Sequence, residues 1–303
     1  MRSRFRLHTR TSLFVLTILA VSVGACPACN GGVASDATLR ATSGTPPGQQ
    51  GSRSAAATAL VRFRVPSDTD LHDSTLRAAV IRGRSILLAT RDSLPHNVGN
   101  ALRCASCHLG AGIQPNAMPW VGVYAKYPIH DARSGKVELI EDRINDCFQR
   151  SMNGRALEPN GQDMRDIVAY LAFLSRGVPI GSSVVGQSFA RLAPLRGDSS
   201  RGAITFASTC SRCHGAHGQG ASTNGSTIGA PPLWGNGSYN DGAGMASVLV
   251  AASFIRPLMP YDRPGTLTAQ QAFDVATYMN SQPRPHFAAK KYDWGGNAAD
   301  HRY

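Results

Sequence analysis

Two short stretches hold the residue types that could do chemistry: Cys104-Ala105-Ser106-Cys107-His108 and Cys210-Ser211-Arg212-Cys213-His214. Two thiols separated by two residues and followed by an imidazole are what covalent attachment of a c-type haem requires. Each thiol adds to one porphyrin vinyl group, and the histidine reaches the iron on one face. A zinc site would need further Cys or His at ligand spacing, and none follows either motif. The cofactors expected are two covalently attached haem c groups, held by Cys104 and Cys107 and by Cys210 and Cys213, with His108 and His214 as axial iron ligands.

The ligand on the opposite face of each iron decides whether a haem carries electrons or does chemistry. For the second haem the best candidate is Met259, in the Pro-rich loop Pro257-Leu258-Met259-Pro260 after a short apolar helix spanning Met245 to Ile255; Met245 is the weaker rival. A thioether ligand raises the potential and suits electron transfer. For the first haem, the run Arg143 to Gly154 sets Arg143, Cys147 and Arg150 at i, i+4 and i+7, on one face of a helix. A thiol between two guanidinium groups is expected to have a lowered pKa and to exist largely as thiolate. Such a sulfur can ligate ferric haem and can also attack another sulfur. The ordinary alternative is an inert buried cysteine beside two solvated arginines; the upstream haem motif and the lack of another use for this cysteine weigh against it.

The elements that must position these residues follow from the pattern. Asp73 or Ser74 caps a helix carrying Leu76, Val80, Ile81, Leu87 and Leu88 and ended by Pro95. A Gly/Pro-rich loop with Met118, Trp120, Tyr124 and Tyr127 wraps the first haem. Val137 to Met152 reads as one helix closed by Asn153-Gly154, and Asp163 opens another that stops at Gly177 and Pro179. Thr268 with Gln271 reads as a capping box for a last helix. Asp166-Ile-Val-Ala-Tyr170-Leu171 parallels Asp274-Val-Ala-Thr-Tyr278-Met279, so the chain repeats itself. The expected fold is all-α, two cytochrome c-like helical domains in tandem, each with its haem as much of the core.

The N-terminus has a basic start, an apolar run from Leu13 to Val23 and small residues before Cys26, the pattern of an export signal. The expected organisation is a signal peptide over 1–25 and a disordered tether over 26–60. An N-terminal domain with the catalytic haem spans 61–180, a linker 181–200, and a C-terminal domain with the electron-transfer haem 201–283. An irregular tail over 284–303 lies across the surface. Export places the protein in the periplasm. Val23-Gly24-Ala25-Cys26 also looks like an imperfect lipobox, so a lipid anchor at Cys26 and ordinary cleavage after Ala25 both stay open; Cys29 has no assigned role. The 303 residues carry a formal charge of +12, part of it in the leader. This mild basic excess suits small anions or an acidic partner. Nucleic acid is not expected as a partner, because no basic patch is interleaved with aromatics.

The run Arg143 to Gly154, the segments Pro231-Pro-Leu-Trp-Gly235 and Gly242-Ala-Gly-Met245, and Phe254-Ile255 through Met259-Pro260 resemble the dihaem thiosulfate dehydrogenase family, over most of residues 74 to 285. The family is also similar to the dihaem subunit of sulfur-oxidising complexes, where a cysteine likewise ligates haem. The resemblance implies oxidation of two thiosulfate anions to tetrathionate, with Cys147 as axial ligand of the catalytic haem; for so small a dianion, Arg143 and Arg150 are the expected source of bidentate hydrogen bonds to the sulfonate oxygens. Electrons would leave through the second haem to an external acceptor such as a small cytochrome c or a high-potential iron-sulfur protein. Family members can carry Lys beside the methionine as an alternative ligand, whereas this chain has Leu258. Some relatives work mainly as tetrathionate reductases, and the motifs do not fix the direction. Two other readings stay open: a plain dihaem electron carrier, and a dihaem peroxidase using His130.

Overall fold

The fold begins with a helix fixed by its cap. In this computed structural model, which describes residues 60–221 and 229–296, the Asp73 carboxylate accepts from Leu76 N at 2.7 Å. The chain then runs, in order, β1 (Leu60–Val61), α1 (Ser74–Leu88), α2 (Thr90–Ser93), α3 (Leu109–Gly112), β2 (Ile129–Asp131), β3 (Lys136–Glu138), α4 (Ile140–Arg150), α5 (Gln162–Leu174), β4 (Ser183–Val184), α6 (Ser199–Thr205), α7 (Ser211–His214), α8 (Val248–Leu258) and α9 (Ala269–Ser281). The expected leader, the tether, Cys26 and Cys29 lie outside the described residues. No helix among the described residues is long and apolar enough to cross a membrane.

Each half is built on one helix crossing. α1 packs on α5, and α6 packs on α9. Both crossings turn on a glycine: a Cβ on Gly83 would stand 1.9 Å from the Asp166 carbonyl oxygen, and one on Gly202 would stand 2.1 Å from that of Asp274. Backbones can approach this closely only where a side chain is missing. The residue before each glycine then ties the crossing down. Arg82 Nη1 donates to Asp166 Oδ2 at 2.5 Å, and Arg201 Nε donates to Asp274 Oδ2 at 2.7 Å. Gln162 and Gln270 donate to the same aspartates at 2.7 and 2.9 Å. Both carboxylates are buried, so these donors are what make their burial affordable. The internal repeat read from Asp166 and Asp274 thus extends to an Arg-Gly pair on the opposing helix.

Three local differences from the sequence expectation have physical causes. The helix read from Val137 to Met152 begins only at Ile140, because β2 and β3 form an antiparallel hairpin with Ile129 opposite Glu138 and a left-handed Gly135 in its turn. α8 starts at Val248, where the Ser247 side chain accepts from Val250 N, and runs past Pro257 to place Met259 at its C-cap. Pro257 is tolerated in the last turn of the helix. Within residues 181–200, read as a linker, β4 pairs in parallel with β1, and Gln187 Nε2 donates to the Val121 carbonyl at 2.9 Å. The tail from 284 does not merely lie across the surface, since Asp293 is buried.

The two halves meet along a polar seam. Asn100 Nδ2 donates to the carbonyls of Ser151 and Ser238 at 2.8 and 3.0 Å, and Asn240 Nδ2 donates to that of Gln149 at 2.9 Å. Ala101 N donates to the Gly237 carbonyl at 2.9 Å. Apolar contact reinforces the seam, since Tyr239 and Ala243 belong to the buried cluster of the first half and Met245 packs against it.

Candidate functional site

A Cys-x-x-Cys-His motif follows the first helix of each crossing along the chain. Behind His108, Nδ1–H donates to the Met118 carbonyl at 2.6 Å; behind His214, Nδ1–H donates to that of Pro231 at 2.8 Å. A carbonyl accepts only, so both rings are Nδ1–H tautomers and leave Nε2 with the lone pair an iron takes. Burial holds both imidazoles neutral, lowering the His108 pKa to about 4 and also lowering that of His214. A tryptophan follows each motif: Trp120 lies 4.9 Å from the His108 ring, and Trp234 packs on Phe206 at 5.0 Å. Each stands edge-on to the repeat tyrosine, Tyr170 at 6.1 Å and Tyr278 at 5.7 Å. Gly112 and Gly218, both left-handed, admit those tryptophans; a Cβ would come within 1.9 and 2.5 Å of the indole rings. The donor set, its tautomers and its aromatic surround therefore fit a c-type haem in each half.

Cys147 joins the first motif. It is partly accessible, and its sulfur is close enough to Cys104 and Cys107 that its charge bears on both; burial, the larger cause, pushes them up to about 12 and about 11. The expectation of a lowered Cys147 pKa is corrected: burial raises it, against the opposing pull of Arg143 and then Arg133. In the polypeptide alone this sulfur is a thiol, and thiolate character would have to come from a metal.

Arg150 also departs from its expected place. It does not flank Cys147 as Arg143 does. Its Nε donates to Asp146 Oδ1 at 2.5 Å, its Nη1 and Nη2 to Asp293 at 2.8 and 2.7 Å, and its Nη1 also to the Gly242 carbonyl at 3.1 Å. Phe287 covers its guanidinium at 4.5 Å. With three acceptors in hand, Arg150 is a buried structural anchor. The second cation near Cys147 comes from the hairpin instead: Arg133 Nη2 donates to Asp146 Oδ2 at 2.5 Å, and Arg143 Nη1 to the same oxygen at 3.1 Å. Asp146 thus gathers three guanidinium groups beside the cysteine.

Arg133 and Arg143 open onto a cleft of about 340 Å³, lined also by Tyr127, Asp131, Glu138, Ser247 and Trp294. Both halves and the tail contribute to its wall. Arg143 is favoured in its charged form, most by Cys147 whenever that sulfur is a thiolate and then, against the cost of burial, by Asp146. Sequence reasoning missed Arg133, Asp146 and Trp294. Asp146 had a signal in its i−3 and i+4 spacing to Arg143 and Arg150, whereas Arg133 and Trp294 arrive by tertiary folding alone. Met259 packs with Met245 against a small cluster of Ala117, Phe254 and Leu258 that Leu109 also touches. It also packs, with Cys210 and Trp234, against the buried core of the second half. His130 is exposed on β2, opposite the exposed Val137 of β3.

Comparison with known proteins gives these two halves separate matches. Residues 97–180 match the model described as SoxA/TsdA, cytochrome c domain, and residues 197–279 match that of cytochrome c oxidase, cbb3-type, subunit III. A thiosulfate dehydrogenase of Psychrobacter arcticus is 42% identical over 77% of this chain and 71% of its own length. The chain belongs to the thiosulfate dehydrogenase family. The enzyme of that name from Allochromatium vinosum is 40% identical over 75% of this chain and 86% of its own. A solved structure, thiosulfate dehydrogenase (TsdBA) from Marichromatium purpuratum, superposes with a TM-score of 0.70 at 36% identity, covering 75% of this chain and half of that one. The architecture is accordingly two mostly helical cytochrome c domains in tandem, and the cofactors are two haem c groups.

Proposed function

We propose that this chain is a thiosulfate dehydrogenase that joins two thiosulfate anions into tetrathionate. The observation carrying this reading is the position of Cys147, electrostatically in reach of both thiols of the first motif and of Arg143 and Arg133, the two arginines that line the cleft. Cys104, Cys107 and His108 would hold the catalytic haem, with the Cys147 sulfur available to its iron; Cys210, Cys213, His214 and Met259 would hold the electron-transfer haem. Two bound haems would supply one-electron chemistry, two electrons in all, and the acceptor we propose for them is an external carrier such as a small cytochrome c or a high-potential iron-sulfur protein.

The residues divide the rest of the work. Thiosulfate is a dianion, and Arg133 and Arg143 offer its sulfonate oxygens charge-assisted hydrogen bonds, with Asp146 fixing both guanidinium groups. The Cys147 sulfur forms a bond to the outer sulfur of the first thiosulfate as two electrons leave. A second thiosulfate attacks that outer sulfur, releasing tetrathionate and returning Cys147 as thiolate, by the geometry of thiol exchange. The arginines offset repulsion between the two dianions. Arg150, placed in this set by sequence, acts from behind it by anchoring Asp146 and the tail. The protein works in the periplasm, with the lipid anchor at Cys26 and simple cleavage after Ala25 as the two forms of its mature start.

Purified holoprotein given thiosulfate and ferricyanide tests the reading. Tetrathionate should form with two acceptor molecules reduced for each one made, and tetrathionate with a reduced viologen measures the reverse. Haems that exchange electrons with carriers but leave both sulfur compounds untouched would make the chain a plain electron carrier.

A further inference from the structure

The cleft contains one polar group that nothing above uses. Trp294 lines it together with Arg133 and Arg143, and among the described residues its buried indole Nε1 has no hydrogen-bond partner. An indole N–H is a donor only, and native structures rarely leave a buried donor without an acceptor. The backbone adds a second observation. Trp294 has φ 58 and ψ 36, the left-handed region, which a bulky aromatic residue seldom occupies.

Specific contacts hold it there. Trp294 N donates to the Arg133 carbonyl at 2.7 Å, so the tail is clipped to the residue that supplies one of the cations. The preceding Asp293 is bound by both Nη atoms of Arg150, three residues beyond Cys147 on α4. Clip and ion pair together hold Trp294 in the wall of the cleft that Arg133 and Arg143 also line, with the carboxylates of Asp131 and Glu138 in the same wall. The acceptor such a donor fits is an oxygen of a small oxyanion.

We propose that Trp294 is a specificity-determining residue of the thiosulfate site, its Nε1–H donating to a sulfonate oxygen of the bound anion while the Arg150–Asp293 pair positions the indole. This rests on the thiosulfate dehydrogenase reading and adds a third donor, brought by the tail, to the two arginines. A sulfonate has three oxygens spread about its axis, and donors from α4 and the hairpin approach it from the first half only. Trp294 supplies the approach from the tail.

The test is steady-state kinetics of the holoprotein carrying Trp294→Phe, which keeps the ring and removes the N–H, beside Trp294→His, which keeps a ring N–H. KM for thiosulfate should rise about tenfold in the Phe variant, the scale of one hydrogen bond to a charged group, and less in the His variant. The turnover number, haem content and haem potentials should stay as in the wild type. An unchanged KM in a fully haem-loaded Phe variant overturns the inference. So does an unchanged KM with a shifted potential of the first haem, which would assign the N–H to a haem propionate. Should the Phe variant fail to fold, Asp293→Asn decides: a raised KM upholds the positioning, and an unchanged one overturns it. A wild type inert toward thiosulfate sinks the enzyme reading itself, and this inference with it.

Discussion

At the scale of single residues the chemistry depends on one sulfur and the cations around it. Replacing Arg133 or Arg143 by Gln should raise KM for thiosulfate by about tenfold or more, because a charge-assisted hydrogen bond contributes on the order of 1.5–3 kcal/mol. Asp146→Asn should raise it too, since its carboxylate is what Arg133 and Arg143 are bonded to, with haem content unchanged in a pyridine haemochrome assay. Helical spacing was enough to set Arg143 beside Cys147. It could not see Arg133, which reaches Asp146 from a hairpin turn, nor that Arg150 would find Asp293 across the fold. It also overstated the acidity of Cys147, because a sequence shows charged neighbours but not the burial that opposes them.

At the scale of elements, each half depends on a close helix crossing. Gly202→Ala would put a Cβ 2.1 Å from the Asp274 carbonyl oxygen, and Gly83→Ala one 1.9 Å from that of Asp166. Neither contact can be accommodated without parting the helices, so each should cost at least about 1–3 kcal/mol, measured as a fall in denaturation midpoint. Asp274 gives its crossing a pH dependence. Burial alone would raise its pKa, but Arg201, Gln270 and the Asp198 N–H outweigh that and hold it below the ordinary carboxylate range. A carboxylate with a depressed folded pKa stabilises fully above its unfolded value, near 3.9, and that stability is lost as pH falls through the folded value. Asp274→Asn should therefore flatten thermal stability against pH in the acid limb below about pH 4, measured by differential scanning calorimetry. The caps at Asp73 and Thr268 and the Asp166/Asp274 repeat were legible because they are local. The β2–β3 hairpin was not: three-residue strands leave too little alternation to interrupt the apolar spacing of Val137, Ile140 and Ile144.

At the scale of the molecule, a polar seam and a returning tail bring two small cytochrome domains together so that both wall one cleft. Arg150→Met would remove the two hydrogen bonds that Arg150 gives the buried Asp293, an effect of about 3–5 kcal/mol for a broken buried pair, seen as a lower midpoint with both haems still attached. Met259→Gly should lower the potential of the second haem by on the order of 0.1 V, a fraction of the roughly 0.8 V that axial ligands command. An unchanged value in a redox titration would remove Met259 from the ligand set. Tandem architecture was readable from the doubled motif; the tail's part in the cleft was not, because nothing in the residues after Pro283 signals a buried aspartate. The most direct test is tetrathionate formation from thiosulfate by Cys147→Gly and wild-type holoproteins of equal haem content. The account predicts that the variant loses activity by a factor on the order of 10³ or more, as enzymes do on losing a nucleophile, and that near-wild-type turnover in the variant would contradict it.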